Sequence, residues 1–219
     1  MQDYFDVPAV SNSLIGDWKK QIYNIPEKSS EATKIKNFLF GSVFHGVMAG
    51  EDVGVIFEKL PLKKRYDAMK MAKKVADIFS HIIENRVSVE QEYYWESDFL
   101  EIGTPIKCKA KTDLIYRDKY GLHCVDWKTT SCTSQADFLA SATEYSYDRQ
   151  AAWYFLADDF VSYTIIGVSK AKEHDIFVLP PFSRNDTMIQ EATGVYMDIL
   201  KKMQSQGTLE KYYNNLQYV

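Results

Sequence analysis

Two acids and a lysine in the stretch Ile106 to Lys128, IKCKAKTDLIYRDKYGLHCVDWK, have the types and spacing that metal-assisted hydrolysis needs. Runs of strand formers flank Arg117-Asp118-Lys119-Tyr120-Gly121, whose Asp and Gly favour a turn, so a β-hairpin is expected. With Asp118 to Gly121 as the loop, Arg117 pairs with Leu122, and counting back sets Asp113 opposite Asp126 and Lys111 opposite Lys128. Opposed carboxylates repel unless a cation or a proton lies between them, and a divalent metal is the simplest answer. Period-two alternation then puts Lys107, Lys109, Lys111 and Asp113 on one face of the first strand, with Asp126 and Lys128 on the matching face of the second. Such a face suits phosphodiester hydrolysis, because a metal polarises a phosphoryl oxygen and acidifies water while the ammonium orients that water or offsets developing charge. A backbone laid along this strand would also meet the three lysines. A D…DxK string recurs by accident, and alone it also fits a solvated hairpin with a poor charge pair, so other residues must support it.

The elements around the hairpin supply that support. Ser11-Asn12-Ser13 caps a helix running to about Asn24, and Ser29-Ser30-Glu31 caps a second. In the second, Phe38, Gly41, His45 and Met48 fall on one face, with Gly41 allowing close backbone approach one turn before His45. A histidine on an apolar stripe is commonly a core residue, so ligation by His45 has to be judged with the hairpin. Pro61 to about Asn85 keeps helical spacing, and Lys63, Lys64, Arg65, Lys70, Lys73 and Lys74 crowd its first half as a solvated face able to meet phosphates. Val87 to Trp95 reads as a strand, with Glu92 a further candidate ligand, leading through a loop at 97–103 into the hairpin. Beyond it, helices are expected at about Ser134 to Ala142 and Tyr147 to Asp158, strands at Val161 to Lys170 and Asp175 to Leu179, and a closing helix at Asp186 to Gln204. The hairpin is apolar on both faces, Ile115, Leu122 and Cys124 on the acid side and Leu114, Tyr116, Val125 and Trp127 on the other, so layers are expected on both sides. Tyr212, Tyr213 and Tyr218 form an aromatic tail suited to packing on the domain or on a second subunit.

Composition narrows the function classes. The 219 residues, 46% hydrophobic and 14% aromatic, are expected to form a single α/β domain, 1–219. A net charge of −4 excludes nucleic-acid binding by bulk charge and requires a local basic face. Three cysteines, Cys108, Cys124 and Cys132, without CxxC spacing argue against a disulfide framework or a four-cysteine metal site and for a reducing compartment. No apolar run reaches transmembrane length and Met1-Gln2-Asp3-Tyr4 does not resemble a signal peptide, so a cytoplasmic protein without membrane contact is expected.

Four blocks in order, Phe40-Gly41-Ser42-Val43-Phe44-His45, Lys109-Ala110-Lys111-Thr112-Asp113, Val125-Asp126-Trp127-Lys128-Thr129-Thr130 and Tyr147-Asp148-Arg149-Gln150-Ala151-Ala152-Trp153-Tyr154, resemble the PD-(D/E)XK nucleases of the RecB-like type, nearest to the phage and prophage exonuclease VIII group. The likeness runs from Val10 to Tyr154, and Thr112 stands where the family name has Pro. It implies a restriction-endonuclease-like core, a mixed sheet flanked by helices on both faces, that cuts DNA with Mg²⁺ or Mn²⁺. Carried over by position, it implies metal ligation by His45, Asp113, Asp126 and the Trp127 carbonyl, and a water-positioning role for Lys128. Gln150 and Tyr154, with Arg149 beside them, match the helix motif that lines the site and touches substrate. The expected activity is a 5′-to-3′ exonuclease on duplex ends in phage-type recombination. The compact chain leaves open action alone, in a homo-oligomeric ring, or with a single-strand annealing recombination protein. The rivals are a related single-strand exonuclease or endonuclease, and a non-catalytic nucleic-acid-binding module on the same fold. Nucleases with a four-cysteine iron–sulfur cluster are excluded by the three cysteines.

Overall fold

The computed structural model describes residues 4–27, 29–97 and 105–216. The hairpin consists of β2 (Ile106–Asp118) and β3 (Gly121–Thr130), antiparallel, with Arg117 opposite Leu122, Ile115 opposite Cys124 and Leu114 opposite Val125. Its turn is fastened by Asp118 Oδ1, which accepts the amides of Tyr120 (2.7 Å) and Gly121 (3.2 Å). β1 (Arg86–Ser97) pairs antiparallel with the other edge of β2. β4 (Ser162–Ser169) is parallel to β3, reached through α6 (Gln135–Glu144) and α7 (Tyr147–Ala157), and β5 (Ile176–Val178) closes the order β1-β2-β3-β4-β5 antiparallel to β4.

Both faces of this mixed sheet are covered, as the two-sided apolar hairpin requires. Ile115 and Cys124 join a core with Trp18 of α1 (Asn12–Ile22), Trp153 of α7, and Tyr196 and Leu200 of α8 (Thr187–Ser205). Leu114, Val125 and Trp127 join a second core with Phe44 of α2 (Glu31–Ala49) and with Met71 and Val75 of α4 (Leu62–Ile78). Trp127 and Trp153 are fully buried on opposite sides of the sheet, and truncating either to Ala would cost about 3–5 kcal/mol. Ser11 and Ser30 cap α1 and α2, their hydroxyls accepting the Leu14 and Thr33 amides at 3.4 and 3.3 Å. Among the described residues no helix is long and apolar enough to cross a membrane.

Several expectations change. The buried stripe of α2 is Phe40, Val43 and Phe44 with Gly46, while Phe38 is 69% exposed. The glycine that permits close approach is therefore Gly46, where a Cβ would lie 2.3 Å from Val53 Cγ1, and not Gly41, which has ordinary room. The helix read from Pro61 to Asn85 breaks at Phe79, leaving α5 (Ser80–Glu84) as a separate turn. α3 (Gly54–Glu58) and α9 (Thr208–Leu216) are additional, both too short for periodicity to reveal. Tyr212 packs edge-on to Trp18 at 5.8 Å, and the side chains of Tyr213 and Tyr218 lie outside the described residues, as does most of the loop at 97–103.

Candidate active site

The β2–β3 ladder stops at Leu114 and Val125, one step short of the two acids. Asp113 and Asp126 keep the counted register but do not form a ladder pair. Instead the Trp127 amide donates to Asp113 Oδ2 at 2.7 Å, so a side chain takes the place of a strand partner and the two strands part. For the same reason Lys111 does not face Lys128. β3 continues along β4, with Asp126 beside Ile165 and Lys128 beside Gly167, while β2 continues along β1 to Ile106. The freed edge of β2 finds other partners. Val10 donates to the Lys107 carbonyl (2.8 Å) and accepts the Lys109 amide (2.7 Å), Trp153 Nε1 donates to the Lys109 carbonyl (3.0 Å) and the Tyr154 hydroxyl to the Lys111 carbonyl (2.6 Å).

Alternation also reverses here. Cys108 and Ala110 face the α1–α7–α8 core, yet Leu114 faces the α2–α4 core; on β1, Val89 belongs to the second and Tyr93 and Trp95 to the first. All of β2's three have even numbers and all of β1's three have odd ones, so strict period two would have kept each set together. The reversal lies opposite Glu90, a non-glycine residue in the left-handed region at φ 48°. It overturns the expected single row of basic side chains beside Asp113. Lys107 stands opposite Glu96, and Lys111 forms an ion pair with Glu90 Oε2 at 2.9 Å. Lys109 is 5% exposed, its ammonium accepted by the carbonyls of Tyr4 (2.7 Å) and Val7 (2.8 Å).

Inside the fork the acids are held differently. Asp126 Oδ1 accepts from Gln150 Nε2 at 2.6 Å, and Gln150 Nε2 also donates to the Tyr163 hydroxyl at 2.9 Å. Asp126 Oδ2 lies 2.6 Å from Lys128 Nζ, but it is buried and receives no well-aligned hydrogen bond. Burial raises the Asp126 carboxyl, and the neighbouring Asp113 charge outweighs enough of the Lys128 attraction to leave it above the ordinary carboxylate range. Burial also acts to raise Asp113, but the His45 charge and hydrogen bond, Lys128 and the Trp127 amide together hold it below that range. Burial works against the Lys128 ammonium, and the two acids more than compensate, so its pKa is raised. One carboxylate is thus secured and its neighbour is short of positive charge.

The cation-binding atoms gather at that point. His45 Nδ1 of α2 lies 3.3 Å from Asp113 Oδ2, and His45, Glu90 and Asp113 each offer a ligand atom within 4.8 Å of the others. The two carboxylates suit Mg²⁺ or Mn²⁺, and the imidazole nitrogen among them favours the transition metal Mn²⁺ over the oxygen-seeking Mg²⁺. Asp126, whose charge acts on both Asp113 and His45 and whose Oδ2 receives no aligned hydrogen bond, adds further negative charge near that group, so the residues fit such an ion. Glu90 is the acid that sequence reasoning missed in favour of Glu92, whose Oε2 accepts the Tyr94 hydroxyl at 2.7 Å. The signal that could have found it is the backbone reversal, which residue types do not announce.

The structure brings together His45, Asp113, Asp126, Lys128 and Gln150, and brings in Trp127 through its amide. Arg149 is 9% exposed and donates through Nε to Asn12 Oδ1 at 3.3 Å, which ties α7 to α1. The Tyr154 hydroxyl is committed to β2, and its ring packs on Tyr163 at 5.1 Å.

No protein-family model and no curated protein matches this chain. Among solved structures it is similar to a protein from Eubacterium rectale provisionally named an exonuclease, with TM-score 0.64 and 16% identity over 99% of this chain and 88% of that one. It is more distantly similar to an alkaline exonuclease from Laribacter hongkongensis, with TM-score 0.45 and 10% identity over 97% of this chain and 95% of that one, a likeness too slight to build on. The first likeness is one of fold: a mixed sheet between helical layers.

Proposed function

We propose that this chain is a metal-dependent deoxyribonuclease of the PD-(D/E)XK superfamily, RecB-like and closest to the exonuclease VIII group, degrading DNA 5′ to 3′ from duplex ends in phage-type recombination. The observation that carries the reading is the fork between β2 and β3, which sets a buried and a half-buried acid, a lysine and a histidine around one point. The fold shared with the Eubacterium rectale protein supports it. Three free thiols fit a reducing cytoplasm.

His45, Glu90 and Asp113 would hold Mg²⁺ or Mn²⁺, with Asp126 alongside and the Trp127 carbonyl completing the set as the resemblance implies. When bound, the ion polarises a phosphoryl oxygen and makes water a better nucleophile at neutral pH. Lys128 places a compact positive charge 2.6 Å from Asp126, where it orients an attacking water and offsets charge on the phosphate. Gln150 fixes the Asp126 carboxylate, and the Trp127 amide fixes that of Asp113.

Incubation of end-labelled linear DNA and of closed circular DNA with Mg²⁺ tests the reading. Release of labelled 5′ nucleotides from linear duplex with the circle intact is the expected result. Cutting of the circle would make the protein an endonuclease, and binding without metal-dependent cleavage would make it a non-catalytic module. Lys128→Arg separates a precise role from bulk charge, because a planar guanidinium does not reproduce a compact ammonium, and most activity should be lost.

A further inference from the structure

A cleft of about 680 Å³ opens from Lys128 and Gln150 on the side away from Lys109. Its floor is the end of β3 and the two residues that follow it, Thr129 to Cys132, whose side chains are small and mostly hydroxylic. Its two walls differ in chemistry. On one, Tyr145 and Tyr147 lie nearly parallel, ring centroids 6.2 Å apart at 25°, with Tyr145 61% exposed and Tyr147 extending toward Lys128, whose ammonium sits 5.9 Å from its ring centre. On the other, Lys170 Nζ donates to Asn37 Oδ1 at 3.0 Å. The partner of Lys170 is a neutral amide, and the charge that bears on it is a second cation, Lys64, so burial and like charge together depress its pKa. A cation so placed gains from an arriving anion. Asp137 and Glu144 also line the cleft, and with Tyr145 following Glu144 directly, the tyrosine wall is unfavourable to phosphate.

Given the nuclease reading on which it rests, we infer that this cleft binds the unpaired nucleotide next to the scissile phosphate, its base on Tyr145 and its phosphate at Lys170 and Asn37. A nucleotide has the same two-sided character as the cleft, a flat π-face on one side and an anion on the other. A base inside a duplex is stacked between its neighbours and a terminal pair frees only its outward face, so a base that lies on Tyr145 while its own phosphate meets Lys170 across the cleft is an unpaired one. The subsite therefore requires the end of a duplex to open before its strand is cut. It also supplies the local positive site that an acidic protein needs, in place of the lysines of β2.

The test measures binding of a fluorescent oligothymidylate by anisotropy, with Ca²⁺ replacing the catalytic metal, across a salt series. Tyr145→Ala should weaken binding about tenfold and Tyr145→Phe should restore it, because the ring face and not the hydroxyl makes the contact. Lys170→Ala should lower the slope of log K against log salt by about 0.7, the value for one phosphate contact on a single strand. Lys73→Ala, on α4 and paired with Asp77 at 3.1 Å, serves as a surface-charge control and should leave the slope unchanged. Parent-like binding by either alanine variant, or a slope change in Lys73→Ala equal to that in Lys170→Ala, overturns the cleft while leaving the nuclease reading in place. A parent protein that binds no oligothymidylate also overturns the cleft, whereas the nuclease reading falls only if linear duplex is left uncut in Mg²⁺. Tyr145 is exposed and Lys170 makes one side-chain hydrogen bond, so both variants should fold, which thermal melts verify.

Discussion

The Trp127 amide and the Asp113 carboxylate meet at 2.7 Å where a strand-to-strand bond would otherwise form, so an acid of the candidate site also holds open the gap it lines. Its neighbour Asp126 has no such duty, and the two should respond oppositely to loss of charge. In the metal-free protein Asp113→Ala leaves a buried amide without an acceptor, which costs about 1–3 kcal/mol, or roughly 2–4 °C of Tm per kcal/mol in a chain of this size. Asp126→Asn removes a carboxylate that is harder to ionise in the folded state than outside it, and should raise Tm. Both should lose cleavage by at least about 100-fold, as removal of several kcal/mol of transition-state stabilisation requires. Melting curves and turnover on one set of samples check signs and loss together, and a matched fall in Tm would sink the asymmetry.

In the metal-free protein the His45–Asp113 pair should contribute most to stability in mildly acidic solution. The Asp113 carboxyl is depressed, so its contribution is present above the unfolded carboxylate value near about 3.9 and is lost as pH falls through the folded value. His45 is penalised by burial but raised overall by Asp113, so its contribution is full below about 6.5 and is lost as pH rises through its folded value. The two overlap between roughly pH 4 and 6.5. Metal requires neutral imidazole, so stabilisation by Mn²⁺ should grow as pH rises out of that window. Differential scanning fluorimetry with and without Mn²⁺ from acid to neutral pH should show this trend flattened in His45→Ala; identical curves in both proteins would return His45 to a purely structural role.

Gln150 should behave as a positioning residue. Gln150→Leu keeps the size of the side chain but strands Asp126 Oδ1, at a stability cost of about 1–3 kcal/mol. Because the amide orients a reacting group and its donors are used within the protein, kcat should fall more than KM rises. Steady-state kinetics on a short duplex measures the split, and a pure KM effect would assign Gln150 to substrate contact instead.

Thiol labelling should find one reactive cysteine in the native protein. Burial pushes the Cys108 thiol up to about 12 and raises that of Cys124 well above its usual value, which leaves both protonated and inert near pH 8. Cys132 is partly exposed at the floor of the cleft. Mass spectrometry after brief iodoacetamide treatment should show modification at Cys132 alone, and at all three cysteines once the chain is unfolded. Labelling of Cys108 in native protein would mean that the edge of β2 opens readily.

Much of this architecture was legible because its signals are local. Asp118 and Gly121 announce the hairpin turn, and the register counted from it holds at Arg117, Ile115 and Leu114. The apolar residues alternating about that hairpin correctly called for helices on both sides. What escaped depends on contacts far apart in sequence. Nothing in Lys109 says that its ammonium ends on the carbonyls of Tyr4 and Val7, and nothing in Glu90 says that its backbone turns left-handed and carries its carboxylate to His45. Alternation is a local rule, and it failed where the sheet bends to build the site.

The unpaired stretch of β2 has a further consequence. A strand with open backbone groups invites another chain to add to it, and such edges seed aggregation. Here the segment ending at Val10, with Trp153 and Tyr154, occupies those groups, and Lys109 grips the chain just before it. The arrangement that opens the sheet for chemistry thus also seals it against its own copies. Removing residues 1–8, which keeps the core residue Val10 but takes away the carbonyls that Lys109 grips, should therefore loosen this cover and yield a protein that self-associates through β2, visible by light scattering before any loss of secondary structure.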